Sequence, residues 1–522
     1  MPKQQTDYLI QLINSLTKTE KRQFRLWVNR NQSNTEVLFL QLFDFLDKQK
    51  KYDEQLILKK IPGIKKRQIS NLKAHLYKQL LVALRLQHRT SNSDIEIRER
   101  IDYARILYNK GHYRQSLEIL DKAKSLAKVA QLDALRLTIL EFEKHIESQH
   151  VTRSIDGRAE ELTTESTEVS RAAARKNLFS NLAIQLYGLY LKVGYVRNQK
   201  EYFFVREFFH SNLPKYDLDE LSFFEKMYLF QAYGWYYFMT QDFLNYYRYS
   251  QKWVELFHSN PKMIELEIPL YLKGLHNSLN ALYLAQHQPK FLKALEVLEN
   301  FGEQNYQKIS RNVDSLLHIY LYFNRINLHY LEGTFTEGLK WVPKLSERLK
   351  SNEYNWDTHR VMVFNYKIAC LYFGHGDDEK AIDYLNEIIN QKSPDFREDI
   401  QCFARILCLI SHFNLGNDLL VEYQVKSVYR FLTKMEDLQQ VQKEILKFIR
   451  KIPRIKKENL KTEFTMLRDN FVKVSDLPYE KRPFLYLDII SWLESKIEDR
   501  PVQDVIREKF LKREKMRVET PN

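Results

Sequence analysis

The sequence predicts an all-α protein of antiparallel helical hairpins stacked on one another, and three observations carry that prediction. Only 13 Gly and 13 Pro occur in 522 residues, too few breakers for a strand-rich fold, while the 44% hydrophobic content is that of a folded chain. Apolar residues recur at helical spacing through most of the chain. From Ile101 onward, an aromatic-rich helix, a tight turn and a second helix with small residues at fixed offsets return as a unit.

The first 95 residues read as a separate basic unit. Thr17 and Glu20 have the spacing of a capping box, which starts a helix through Phe24 and Trp27. A second helix begins near Thr35 and carries Leu38, Leu42, Phe45 and Leu46, then ends in the polar run 48–51. Asp53 caps a short helix, Leu56 to Ile61, closed by Pro62-Gly63, and a fourth helix spans about Lys65 to Gln87.

The clearest hairpin runs from Ala104 through Gly111 and Tyr113 to Ser116, Leu120 and Ala123. It recurs with Ala369, Tyr372, Gly376, Ala381 and Leu385, and again with Gly333, Phe335, Gly338 and Leu345. Looser copies turn at Gln241-Asp-Phe243, at Pro289-Lys-Phe291 and at Gly416-Asn-Asp418. These segments resemble the tetratricopeptide family over about residues 100–440, with turns 40 to 48 residues apart rather than about 34. The resemblance implies a divergent tetratricopeptide-like α-solenoid, which follows a small helix-turn-helix-like N-terminal unit. The expected organisation is a basic unit over 1–95, a first hairpin with a polar connector over 96–175, a divergent array over 176–440 and capping helices over 441–522. The polar stretch between Ser148 and Lys176 admits a linker or an exposed helix, and its Ala, Glu and Arg content favours the helix. Residues 513–522 are expected to fray.

Cys370, Cys402 and Cys408 form no CxxC pair and no even framework, which points to a reducing, cytoplasmic setting and away from a disulfide scaffold or structural zinc. The start of the chain lacks the layout of a signal peptide. The most apolar stretch, Met227 to Met239, is too short to span a membrane. The net charge of +14 is concentrated at the ends, with 18 Lys/Arg against 7 Asp/Glu in residues 1–90.

Motifs for nucleotide binding, acyl transfer and zinc catalysis are missing, so neither an enzyme, a cofactor nor a metal is expected. The nearest approach, Gly374-His-Gly376-Asp-Asp-Glu379, falls on a hairpin turn, where Gly and Asp serve the backbone. Two surfaces remain as candidates. Residues 227–257 hold 13 aromatics, and Tyr233, Trp235, Tyr237 and Asn245 are the expected contacts for a protein or peptide partner in a scaffold. The alternative is a nucleic-acid-binding regulator, in which Lys65, Lys66, Arg67, Asn71 and Lys73 meet phosphates and base edges and the array acts as sensor. The heptapeptides beginning at Lys60 and Lys451 agree at six of seven positions, either as a reused basic turn or as coincidence.

Overall fold

The computed structural model describes residues 8–30, 34–49, 52–89, 92–150, 157–305, 309–351, 354–391, 398–432, 440–451, 455, 459–475, 479 and 488–519. Among these the protein is all-α, with no strand. Most of the second heptapeptide and the start of the polar connector lie outside the described residues. The chain forms two compact units, Met1–Arg175 and Lys176–Asn522.

The first unit opens with α1 (Tyr8–Ser15), which the sequence reading passed over although Leu9, Ile10 and Ile13 are buried at helical spacing. In α2 (Lys18–Arg30) the capping box is present: Thr17 N donates to Glu20 Oε2 at 2.7 Å and Glu20 N to Thr17 Oγ1 at 3.2 Å. After α3 (Asn34–Leu46), Asp53 caps α4 (Glu54–Lys60) by accepting from Leu56 N at 3.0 Å. The next helix, α5 (Ile69–His88), packs on α2 and α3 through Leu76 and Leu80. It is preceded by a 3₁₀ turn at Lys66–Gln68, so the fourth predicted helix starts a turn late.

Next come α6 (Ser93–Asn109), α7 (Tyr113–Val129), α8 (Asp133–Gln149) and the 36-residue α9 (Arg158–Val193), within which the division between the units falls. The polar connector is thus largely helix. The first part of α9 is held by charge as well as by a small apolar cluster of Leu140, Leu162 and Val169: Lys124 Nζ lies 2.8 Å from Glu143 and 3.0 Å from Glu165, and Arg136 reaches Asp133 and Glu165.

The second unit continues with α10 (Gln199–Asn212), α11 (Phe223–Met239), α12 (Phe243–His258), α13 (Pro261–Leu266), α14 (Ile268–Leu284), α15 (Gln288–Asn305), α16 (Arg311–Glu332), α17 (Phe335–Gly338) and α18 (Val342–Ser351). It is completed by α19 (Thr358–His375), α20 (Asp378–Ile389), α21 (Glu398–Asn414), α22 (Asp418–Leu432), α23 (Gln440–Lys451), α24 (Leu460–Ser475), α25 (Ile489–Glu498) and α26 (Val502–Glu519). Successive helices pair as hairpins, and the first helices of neighbouring hairpins also touch: α14 meets α16, α16 meets α19, and α19 meets α21.

One helix ending recurs at these turns. A residue of positive φ follows the helix, and the next amide donates five residues back, as His112 to Leu107, Asp242 to Tyr237, His287 to Leu282, Thr334 to His329, Asp377 to Tyr372 and Asn417 to His412, at 2.9–3.1 Å. Glycine occupies the left-handed position at 111, 333, 376 and 416, but glutamine does so at 131, 241 and 286. The turn read at Pro289 therefore sits at Gln286, and Pro289 lies in the first turn of α15, where a missing amide is harmless.

Of the stretch 513–522 expected to fray, residues 513–519 are helical and 520–522 lie outside the described residues: α26 continues to Glu519 and reaches two of these turns. Gln503 accepts from Thr336, Arg507 donates to the carbonyl of Glu332, and Arg513 and Arg517 both reach Gln286. Guanidinium groups at exposed helix C-termini also oppose the negative end of the helix dipole. At Gly333 a Cβ would stand 2.5 Å from Arg507 N, whereas at Gly376 it would meet nothing within 4 Å. G376A should thus cost about 1–2 kcal/mol for the left-handed backbone alone. G333A should cost distinctly more and speed amide exchange in α26, as read by denaturant titration and hydrogen exchange; equal effects at both sites would contradict the packing.

Candidate functional site

In α11, residues 233 and 237 share one face and residue 235 points from the opposite one, so the expected aromatic contacts divide into two groups. Tyr233, Tyr237 and Tyr249 form a stack of half-buried rings, with centroids 4.2 Å apart for Tyr233–Tyr249 and 5.5 Å for Tyr237–Tyr249. Tyr216 extends this tier through a 3.1 Å hydroxyl contact to Tyr233, and the Lys252 ammonium lies 5.1 Å from the Tyr249 ring. Burial, then the Tyr216 hydroxyl, raises the Tyr233 phenol above its ordinary range, which keeps it a neutral donor. Trp235 packs instead with Tyr187 and Tyr190, each ring 5.2 Å away. Asn245 donates from both its backbone and side-chain nitrogen to Asp242, the cap of α12, at 3.1 and 2.8 Å.

The basic residues of the N-terminal unit are spread over the 3₁₀ turn and the start of α5. Lys65, Lys66, Arg67 and Asn71 are exposed, while Lys73 is partly buried with its ammonium 3.9 Å from the Tyr52 ring. Of the Gly374–Glu379 segment, Gly376 takes φ of +97°, Asp377 accepts from Lys380 N at 3.0 Å, and Gly374 packs against Phe335. That segment is occupied with closing the turn.

A third arrangement was not expected from the sequence. Where α14, α16 and α19 lie side by side, their facing sides carry polar groups: Lys273 and His276, Asn324 and Asn327, and Lys367. The His276 ring stacks on Tyr320 at 4.3 Å, and its Nδ1 lies 3.2 Å from Asn324 Nδ2, which also donates to the Tyr320 carbonyl at 2.8 Å. Lys367 Nζ donates to Asn327 Oδ1 at 2.5 Å and faces the rings of Phe323, Tyr330 and Tyr283 at 4.1, 5.1 and 6.0 Å. Both asparagines are fully buried, yet Asn327 Nδ2 and Asn324 Oδ1 have no hydrogen-bond partner. Lys273, His276 and Lys367 remain partly open to water.

Among the described residues, no carboxylate forms an ion pair with Lys273 or Lys367. Burial therefore acts almost unopposed: it lowers the Lys273 ammonium and pushes Lys367 down to about 7. His276 is pushed down to about 3 by burial and then by Lys367 and Lys273, so the ring is neutral near pH 7. In the sequence, nothing marks these lysines off from the solvated lysines usual on helices. The available signal was the pair Asn324 and Asn327, three apart within the apolar and aromatic run of α16.

No protein-family description, no curated protein and no solved structure matches this chain.

Lys367 and His276 bind protons less readily folded than unfolded, so each makes stability rise with pH. For Lys367 the window runs from about 7 up to the ordinary 10.5, and for His276 from about 3 up to the ordinary 6.5. Urea midpoints should therefore climb between pH 7 and pH 9.5 in the wild type, and K367M should flatten that rise. An equal rise in both proteins would remove Lys367 as its source.

Proposed function

We propose that the chain is a non-enzymatic, cytoplasmic scaffold of tetratricopeptide-like hairpins that holds a protein segment against the tier formed by Tyr216, Tyr233, Tyr237 and Tyr249. The observation that carries this reading is the stack itself. Three phenol rings in parallel register, half-buried and joined by Tyr216, present flat apolar area and hydroxyl groups at low entropic cost, which suits a protein contact. The recurring turn and the hairpin pairing support the repeat reading. Small buried residues do so too, for Ser116 Oγ donates to the Ala104 carbonyl at 2.8 Å and lets α6 and α7 approach closely.

Alanine at Tyr216 or Tyr237 should leave the circular dichroism spectrum intact and weaken recovery of the partner in pull-downs from native lysate by about 10-fold or more, as expected for an aromatic hot spot. A folded Y216A/Y237A protein that retains every partner would refute this location. Alanine at Trp235 should have the smaller effect on binding, because its ring is engaged with Tyr187 and Tyr190.

A second reading rests on Lys65, Lys66 and Arg67, which are exposed and consecutive and form no ion pair with a carboxylate among the described residues. In this reading the unit binds nucleic acid and the array senses a partner. Full-length protein titrated with duplex DNA at several salt concentrations should then show a steep fall of affinity with salt, and the triple change K65E/K66E/R67E should reduce the slope by about two to three phosphate contacts. A flat salt dependence would end it.

A further inference from the structure

The protein treats enclosed lysines in two ways. Lys124, in the first unit, is mostly buried and meets two carboxylates at 2.8 and 3.0 Å. Lys273 and Lys367, in the second, are also drawn in among the helices, yet neither has an acidic partner among the described residues. A buried ammonium left without a counter-charge costs several kcal/mol, and an anion bound between Lys273 and Lys367 would offset that cost where no carboxylate among the described residues does.

The hydrogen-bonding groups specify the anion further. Asn327 spends its oxygen on Lys367, which leaves its fully buried Nδ2 as a donor with no acceptor. His276 stands within electrostatic reach of both ammonium groups and is fixed between the Tyr320 ring and Asn324. It is neutral and adds a ring nitrogen without adding charge. The partial exposure of Lys273, His276 and Lys367 leaves a route for a ligand from solvent. A monoanion would compensate only one ammonium, whereas a dianion compensates both and gives Asn327 Nδ2 its acceptor.

We infer that Lys273, Asn327 and Lys367, on three consecutive hairpins, form a binding site for a dianionic ligand, either a phosphate monoester or a dicarboxylate. The site is independent of the tyrosine tier: its residues lie on α14, α16 and α19, and the tier's helical residues lie on α11 and α12. Loss of protein binding through the tier leaves this site untouched. Binding proceeds with proton uptake, because an anion against Lys367 restores its charge.

The test is isothermal titration of the full-length protein at pH 8 and constant ionic strength with inorganic phosphate, and separately with succinate, in two buffers of different ionisation enthalpy. The expected result is saturable binding of at least one probe, with buffer-dependent heat that reports proton uptake. K367M and K273M should each weaken it by about 10–100-fold. Response to phosphate alone assigns the site to phosphate monoesters, response to succinate alone assigns it to dicarboxylates, and response to both assigns it to either dianion. No saturable binding of either probe, or binding that shows no proton uptake and persists in both variants, overturns the inference. The buffer dependence is measured on the wild type, so the result stands even where a variant fails to fold.

Discussion

A helix can reverse direction over two or three residues only if its last carbonyls find donors, and in this protein the left-handed residue after the helix supplies them. It swings the next amide back to a carbonyl five residues earlier, closes the helix end and sends the chain into the antiparallel partner. The same geometry at Gly111, Gln241, Gln286, Gly333, Gly376 and Gly416 sets where each hairpin begins. Hairpin pairing, contact between successive first helices and the alignment of α14, α16 and α19 all follow from those fixed points.

This also explains how much was legible in the residues alone. Glycine announces a left-handed position, so the turns at 111, 333, 376 and 416 could be read. Glutamine carries no such signal: the turn at 241 reads only as a looser copy, the one at 286 reads three residues late at Pro289, and the one at 131 goes unread. There the closed hydrogen-bond pattern outweighs the strain of about 1–2 kcal/mol that a side chain meets in that region. The caps at Thr17 and Asp53 were readable because they are local chemistry, with donor and acceptor three residues apart. The course of α26 was not, since it is decided by residues distant in sequence, whereas α1 does carry apolar residues at helical spacing.

The candidate surfaces divide along the same line. Composition drew attention to the aromatic block, but which rings share a face depends on helical phase and on Tyr216 and Tyr249 arriving from neighbouring segments. The polar cluster was invisible because Lys273, Asn327 and Lys367 are separated by dozens of residues and meet only through packing. A lysine on a helix is ordinarily a solvated residue. Its neighbours turn Lys367 into a group whose charge is costly, and they turn Lys124 into one whose charge is shared.

The course of α26 bears on how such a chain can change over evolutionary time. Arrays of stacked hairpins, in which each repeat contacts only its neighbours, can grow or shrink by whole repeats because the remaining contacts are preserved. Here one rigid helix grips Gln286, Glu332 and Thr336 at once, with anchor points set by its own 1.5 Å rise per residue. A hairpin inserted or deleted between α14 and α19 would move those grips out of register with Arg507, Arg513 and Arg517. That stretch is thereby fixed in repeat number, whereas hairpins that α26 does not bridge are free to diverge in length.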